Sequence, residues 1–351
     1  MKRLLLAALV ALIVGAVAAA AIIWQAYVGA ESIPAAQIEV MPGATMGGVA
    51  RDLEARGLLH HRRVLLLAAR LTGRDRDLRV GVFALPVGAS PRDILDALTE
   101  QAPLPVVVTL PEGMAAAEMA AVVADSLGLE AAAILAAADI LVSGGADTLM
   151  NPVGVEAMAS VVERRRPDGS TMRWCEGYLA PDTYHFTRGM DAAAVARVMV
   201  DLQLERVAGA AHDGLTAHEL LSLAALVEAE SRQDHERPLV AAVYHNRLRR
   251  GMRLEADPTV AFWLGKRGQR LLYRDLEVDS PFNTYRRPGL PVGPVLAPGL
   301  AAIMAAGAPD TTCDALYFVA DGDGGHVFSN TLAEHNRAVA HYRELMRRRR
   351  R

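Results

Sequence analysis

The sequence predicts an α+β protein behind a membrane anchor, and three observations carry that prediction. An uncharged run of 20 residues, Leu4 to Ile23, stands near the N-terminus. Helical periodicities fill most of the chain beyond that run. The few strand-like runs lie between helices without the regular alternation of a doubly wound sheet. With 351 residues and 52% hydrophobic content the chain is long enough for one large or two modest domains, each with a core. Its formal net charge of −3 gives no basic surface of the kind that binds nucleic acid. No fixed-period repeat or long heptad run is present.

The apolar run matches the ~20 residues a helix needs to cross a bilayer core, and it exceeds the roughly 7–15 apolar residues of a cleaved signal, so it reads as an anchor. Trp24 and Tyr27 follow it as an interfacial aromatic belt. Lys2 and Arg3 precede it while Glu31 and Glu39 come after, which keeps the N-terminus in the cytoplasm and puts the chain from about residue 30 outside. Residues 1–29 are therefore taken as cytoplasmic N-terminus and anchor.

IEVMPGATMGGVARDLEARGLL (38–59) reads as strand, Pro-Gly turn and amphipathic helix, and VLLLAARLTG (64–73) as a helix stopped by Gly73. VGVFALPVGASPRDILDALTE (80–100) repeats the theme with Ser90 as N-cap and Pro91 at the first helical position. Residues 30–103 then form a small α/β module. VVVTLPEGMAAAEMAAVVADSLGL (106–129) opens a second unit, 104–345, in the same way. Within it the alanine-rich stretch to about 148 is helical by propensity, 151–171 reads as a polar, poorly patterned insertion, EGYLAPDTYHFTRGMD (176–191) as a loop, and 192–208 as a helix. The basic end, 346–351, with arginines at 347–351, reads as a solvated, frayed tail.

Cys175 and Cys313 lie far apart, and spacing leaves open whether they pair. No CxxC occurs, and His218-Glu219 lacks the second histidine of HExxH, so no metal site and no cofactor is expected.

LSLAALVEAESRQ (221–233) sets two acids, Glu228 and Glu230, into an apolar run. Thr216 to Glu219 fits a capping box that fixes the helix start, and Leu220, Leu223, Ala224 and Val227 mark its buried stripe. Residues two apart point in nearly opposite directions, so the two acids do not face each other across one glycosidic bond. One turn back Glu230 meets Leu226 and Val227, whereas Glu228 meets only Ala224 and Ala225. The bulkier apolar neighbours strip more water from Glu230, favouring the protonated form that suits a general acid. The alternative is a surface glutamate near a helix end.

HERPLVAAVYHNRLRRGMRLEADPTV (235–260) starts a helix near Pro238, runs Val240, Val243, Tyr244 and Leu248 along one face, stops at Gly251, and ends in a turn at Asp257-Pro258. DSPFNTYRRPGLPVGPVLAPG (279–299) is a long Pro/Gly-rich loop headed by Asn283, Thr284 and Tyr285, side chains suited to sugar hydroxyls and acetamido groups. YFVADGDGGHVFSNTLAEHNRAV (317–339) closes the unit as a hairpin and a helix capped near Asn330 or Thr331, with His326 and His335 read as structural.

At these residues the chain resembles the YceG-like family, the endolytic murein transglycosylases (MltG). The matching segments are PEG at 111–113, EGYLAPDTY at 176–184, LVEAES at 226–231, and the long runs 236–260, 279–299 and 317–336. The resemblance implies a single-pass inner-membrane protein with a LysM-like module and a periplasmic catalytic domain. Its reaction would be cleavage of the MurNAc-GlcNAc β-1,4 bond within glycan strands, leaving 1,6-anhydroMurNAc ends and terminating nascent strands. Its partners would be peptidoglycan, membrane lipid and a cell-wall synthase of the penicillin-binding type, with no nucleic acid. The family's catalytic glutamate, second acid of a Glu-x-Glu before a small hydroxyl residue, maps onto Glu230 before Ser231. Ser231, Asn246, Asp257, Thr259, Asn283, Thr284 and Tyr285 are the expected substrate contacts, with Tyr285, Asn283 and Asn246 as candidates for excluding water. Glu255 stands where relatives commonly carry glutamine, and Val292 where they carry proline. Two other readings remain: a lysozyme-type hydrolase, with Asp257 or Asp279 as second carboxylate, and a tethered peptidoglycan-binding scaffold without catalysis.

Overall fold

A computed structural model describes residues 2–145, 149, 152–162, 164–212 and 214–349. Helices predominate and short strands pair two by two, so the protein is α+β, with an apolar N-terminal helix. The chain divides into two compact units, Met1–Val107 with His185–Met190, and Val108–Tyr184 with Asp191–Arg351.

In the first unit, α1 (Lys2–Val28) contains Leu5–Val28, long and apolar enough to cross a membrane and unburied throughout that window. Strand β1 (Ala36–Val40) pairs antiparallel with β2 (Gly81–Leu85), Ile38 opposite Phe83. Helices α2 (Met46–Ala55), α3 (Arg62–Thr72) and α4 (Pro91–Thr99) bring Leu53, Leu65 and Ile94 onto the inward strand residues, among them Ile38, Val40 and Phe83, to close a core. Local chemistry sets the helix ends. Thr45 accepts from Gly48 N at 3.2 Å, Gly73 terminates α3 at φ +74, and Ser90 and Asp93 form a reciprocal capping box before Pro91. Glu31, read from sequence only as an exterior charge, is buried and accepts from His60 N (2.6 Å) and His61 N (3.2 Å) at the entrance to α3.

Strands β3 (Pro105–Thr109) and β4 (Thr183–Thr187) each have residues in both units, and the second unit opens with α5 (Ala116–Leu127), α6 (Ala131–Gly144), α7 (Pro152–Ala159) and α8 (Ala192–Ala208). It continues with α9 (Ala217–Glu230), α10 (Arg237–Arg249), α11 (Asp257–Trp263), α12 (Leu300–Gly307), the hairpin β5 (Tyr317–Ala320) and β6 (His326–Ser329), and α13 (Leu332–Arg349). The capping box of Thr216 and Glu219 opens α9 as its residues require. Residues Leu220 through Val227 are all buried, because α12, α10, α8 and α11 pack around α9. A helix apolar on nearly every face is a core helix, so a single stripe understates its burial.

Four further local readings differ from the structure. Part of the polar insertion is helical, as α7, and Met158 and Val161 are fully buried there; residues 146–148, 150–151 and 163 lie outside the described residues. The loop expected over 176–191 contains β4, whose Tyr184 and Phe186 alternate inward between exposed neighbours, a period-two signal that Pro181 and Gly189 masked. Asp257-Pro258 opens α11 instead of ending in a turn, since proline is pre-organised for a first helical turn. The basic tail continues α13 to Arg349, with Arg347 and Arg348 paired to Glu344 and Arg349 to Asp323. Cys175 and Cys313 are free thiols, and burial pushes the Cys175 thiol well up.

Candidate active site

Glu230 is the last residue of α9, which stops there because Ser231 turns extended (φ −97, ψ 119). This position places it where two cavities meet. One, of about 580 Å³, is bordered by Glu228, Ala229 and Glu230 with Asp257, Phe262 and Leu296. The other, of about 430 Å³, is bordered by Ala229 and Glu230 again, with Arg232, the glycine-rich β5–β6 turn and Tyr342 of α13. Wheel geometry separates the two acids, yet both border the larger cavity because it wraps the final turn of the helix.

Their surroundings give them different chemistry. Glu228 is held on both oxygens, Oε1 accepting from Arg237 Nη2 at 3.2 Å and Oε2 from Gly299 N at 3.1 Å. Arg237, itself buried, also reaches Glu112 at 3.5 Å and Asp234. Glu112 is raised above the usual carboxylate range by burial and by the nearby Glu228 charge. Gly299 lies close against this network: a Cβ there would stand 1.7 Å from Glu112 Oε1, so the Glu112 carboxylate would have to move. The Glu230 carboxyl has no hydrogen bond or ion pair among the described residues. Burial, and secondarily the Asp257 charge, push its carboxyl up to about 7. A half-protonated carboxyl at neutral pH, open to two cavities, is equipped to give and take a proton.

Asp257 is delivered to the cavity wall by a strained turn. Glu255 adopts φ +51, unusual for a side-chain-bearing residue, and is held by Thr284 O accepting from its N–H at 3.2 Å and by Arg247 on its carboxylate at 3.3 Å. Thr284 Oγ1 then accepts from Ala256 N at 3.0 Å and lies 3.1 Å from Thr259 Oγ1. Tyr285 donates to Asp257 Oδ1 at 2.6 Å, tying the long loop to the cavity wall.

Of the residues expected to contact substrate, only Asp257 borders a cavity beside Glu230. Tyr285 reaches it through Asp257. Thr259, Asn283 and Thr284 are buried and committed to the frame: Thr259 donates to Ala256 O, and Asn283 Nδ2 to Leu276 O and Val278 O while its Oδ1 accepts from Tyr285 N. Asn246 likewise donates to Cys313 O and Ala315 O, away from both cavities. Ser231 is buried and its hydroxyl has no partner among the described residues. Asp279 is exposed and pairs with Arg287 at 3.2 Å, outside the cavities. His326 gives its ring and backbone nitrogens to Glu236 at 2.7 and 2.8 Å. Among the described residues no cluster of three or more His, Cys, Asp or Glu is disposed to hold a metal.

Sequence reasoning missed Glu112, Arg237 and Tyr244. The first two lie in PEG and ERPLV, segments that carry the family resemblance but have no local pattern pairing them with Glu228. Tyr244, read as core, keeps a fully buried hydroxyl without a partner among the described residues, in the electrostatic reach of Glu230.

Known proteins share much of this chain. A Bacillus subtilis protein named endolytic murein transglycosylase is 30% identical over 311 residues, covering 87% of this chain and 84% of its own. A Streptococcus pneumoniae protein of the same name is 30% identical over 330 residues, and the chain spans 58% of its length. The crystal structure of a YceG-like protein from Listeria monocytogenes superposes with a TM-score of 0.52 at 26% identity, over 86% of this chain and 98% of that one. The YceG-like family profile matches residues 38–341, and on that match and these relatives the chain belongs to the YceG-like family.

Proposed function

We propose that this chain is an endolytic lytic transglycosylase of peptidoglycan, cutting the MurNAc-GlcNAc β-1,4 bond within glycan strands to leave 1,6-anhydroMurNAc ends. The carrying observation is Glu230, an unpaired carboxyl raised to about 7 at the meeting of two cavities. Relatives named endolytic murein transglycosylase support the same substrate. Cavities on both sides of the acid suit a strand that continues past the cut in both directions, as endolytic cleavage requires.

In this reading protonated Glu230 donates to the glycosidic oxygen as its bond to C1 breaks. The neighbouring N-acetyl oxygen relieves the positive charge developing at C1. The Glu230 carboxylate then takes the proton of the sugar's own 6-hydroxyl, whose oxygen bonds to C1 and closes the anhydro ring. The nucleophile is intramolecular, so one carboxyl suffices. Asp257, in the same cavity, favours the competing hydrolase reading, in which it would activate water. The remaining assignments belong to the same proposal: residues 30–103 as a LysM-like module, the catalytic domain outside the inner membrane, termination of nascent strands, and association with a cell-wall synthase.

Mass spectrometry of fragments released from purified glycan strands by the full chain in detergent, beside its Glu230→Gln form, tests it. Anhydro ends that vanish with the substitution are expected. Reducing ends would replace this reading by the hydrolase, and no cleavage by either form would favour a binding scaffold.

A further inference from the structure

We propose that the outward face of α3 lies on the membrane that α1 crosses, with Leu67 and Leu71 in the upper acyl region and Arg63 and Arg70 among anionic lipid headgroups. The proposal rests on α1 being the membrane span, and is independent of the chemistry at Glu230.

Residues 63, 67, 70 and 71 recur at helical spacing on one face of α3, and all four are exposed. Leu71 is 79% and Leu67 43% exposed, on a helix whose other face, Leu65 and Ala69, is fully buried in the core. The arginines divide in the same way. Arg62 pairs with Glu54, and Arg74, just past the helix, pairs with Asp96 and Glu100, whereas Arg63 and Arg70 have no acidic partner among the described residues. Two exposed leucines flanked by two unpaired cations form the pattern of a helix lying in a lipid interface.

The position of α3 against α1 identifies the occupant. The two helices pack together and leave between them an open apolar cavity of about 350 Å³, bordered by Ala20, Ile23 and Trp24 of α1 and by Leu67, Ala68 and Leu71 of α3. The α1 wall of this cavity ends at Tyr27, which at 1.5 Å per residue makes it about 10 Å tall. It starts within the 20-residue apolar run, long enough to fill the ~30 Å hydrocarbon core, and ends beyond it at the aromatic pair Trp24 and Tyr27. The cavity therefore straddles the level where acyl chains give way to headgroups, and Leu67 and Leu71 are among the residues that border it. Acyl chains fill an apolar cavity at that level, and the arginines lie within reach of phosphate. So seated, the first unit has a fixed face toward the lipid in place of a free tether.

The test uses the full chain with Cys313→Ala, leaving the buried Cys175 unlabelled, in nanodiscs of phosphatidylcholine and phosphatidylglycerol. Nitroxides are attached at Leu71→Cys, Leu12→Cys or Ile140→Cys, and collision with oxygen is compared with collision with a water-soluble nickel chelate. Expected is an oxygen-dominated response at 12 and at 71 and a nickel-dominated one at 140, an exposed site in the second unit. Leu67→Cys reads the same face a second time and is expected to follow 71. A lipid response at 12 with a water response at 71 overturns the proposal while the anchor stands. Low collision with both reagents at 71 means that protein covers the face, and overturns it too. A water response at 12 removes the anchor and the proposal together. Arg63→Glu with Arg70→Glu is expected to shift the response at 71 toward nickel, and no shift overturns the headgroup contact.

Discussion

Replacing Glu230 by glutamine is expected to stabilise the second unit at alkaline pH while abolishing its chemistry. The carboxyl titrates near 4.5 when unperturbed and is pushed up to about 7 in the fold. Between those values the unfolded chain is ionised and the folded one is not, so this group's contribution falls as pH rises from 4.5 through 7. Above about 7 both states are ionised and the penalty is constant, and below about 4.5 both are protonated and it is absent. At 1.36 kcal/mol per pKa unit the full penalty is about 3 kcal/mol. Glu230 keeps partial exposure at the cavity wall, and solvent screening reduces this to about 2 kcal/mol. Glutamine resembles the protonated carboxyl in shape and removes that penalty. For a unit of this size the gain corresponds to a rise in Tm of about 4–8 °C. Glu176, buried and also pushed up to about 7, is present in both proteins and cancels. Thermal unfolding of the full chain in detergent, followed by near-UV circular dichroism at about pH 8 and again at about pH 4, measures the difference. An unchanged or lower Tm at the alkaline pH refutes the reasoning, and so does a gain that persists undiminished at the acid one.

On glycan strands kcat/KM is expected to fall as pH rises through about 7, because the proposed reaction begins from protonated Glu230. Asp257→Asn removes the charge that helps raise that carboxyl, and the falling limb should move to lower pH, as full pH–rate profiles of both proteins would show. Arg237→Met leaves Glu228 buried without its cation and is expected to cost about 3 kcal/mol, read from urea unfolding. Tyr244→Phe deletes a buried hydroxyl that has no partner, so Tm should hold or rise, and a fall of several degrees would reveal an unseen hydrogen bond.

Chemistry that acts over one or two helical turns was legible in the sequence alone. Thr216 and Glu219 fix the start of α9, Ser90 and Pro91 that of α4, and Gly73 the end of α3, because each satisfies backbone groups only a few residues away. The preference for Glu230 over Glu228 drew on the same range, and in the fold burial is the first cause of the raised Glu230 pKa, with the Asp257 charge from outside the helix adding to it. Contacts between distant segments settled the rest. Glu228 is held by Arg237, nine residues on, and by the Gly299 amide, 71 residues on. Asp257 is aimed by Thr284 and Tyr285 from a loop that, read alone, offered those residues for sugar contacts. Asn283 and Asn246 are spent on distant carbonyls for the same reason: a buried amide must find partners wherever the packed chain provides them, and periodicity holds no record of where that is.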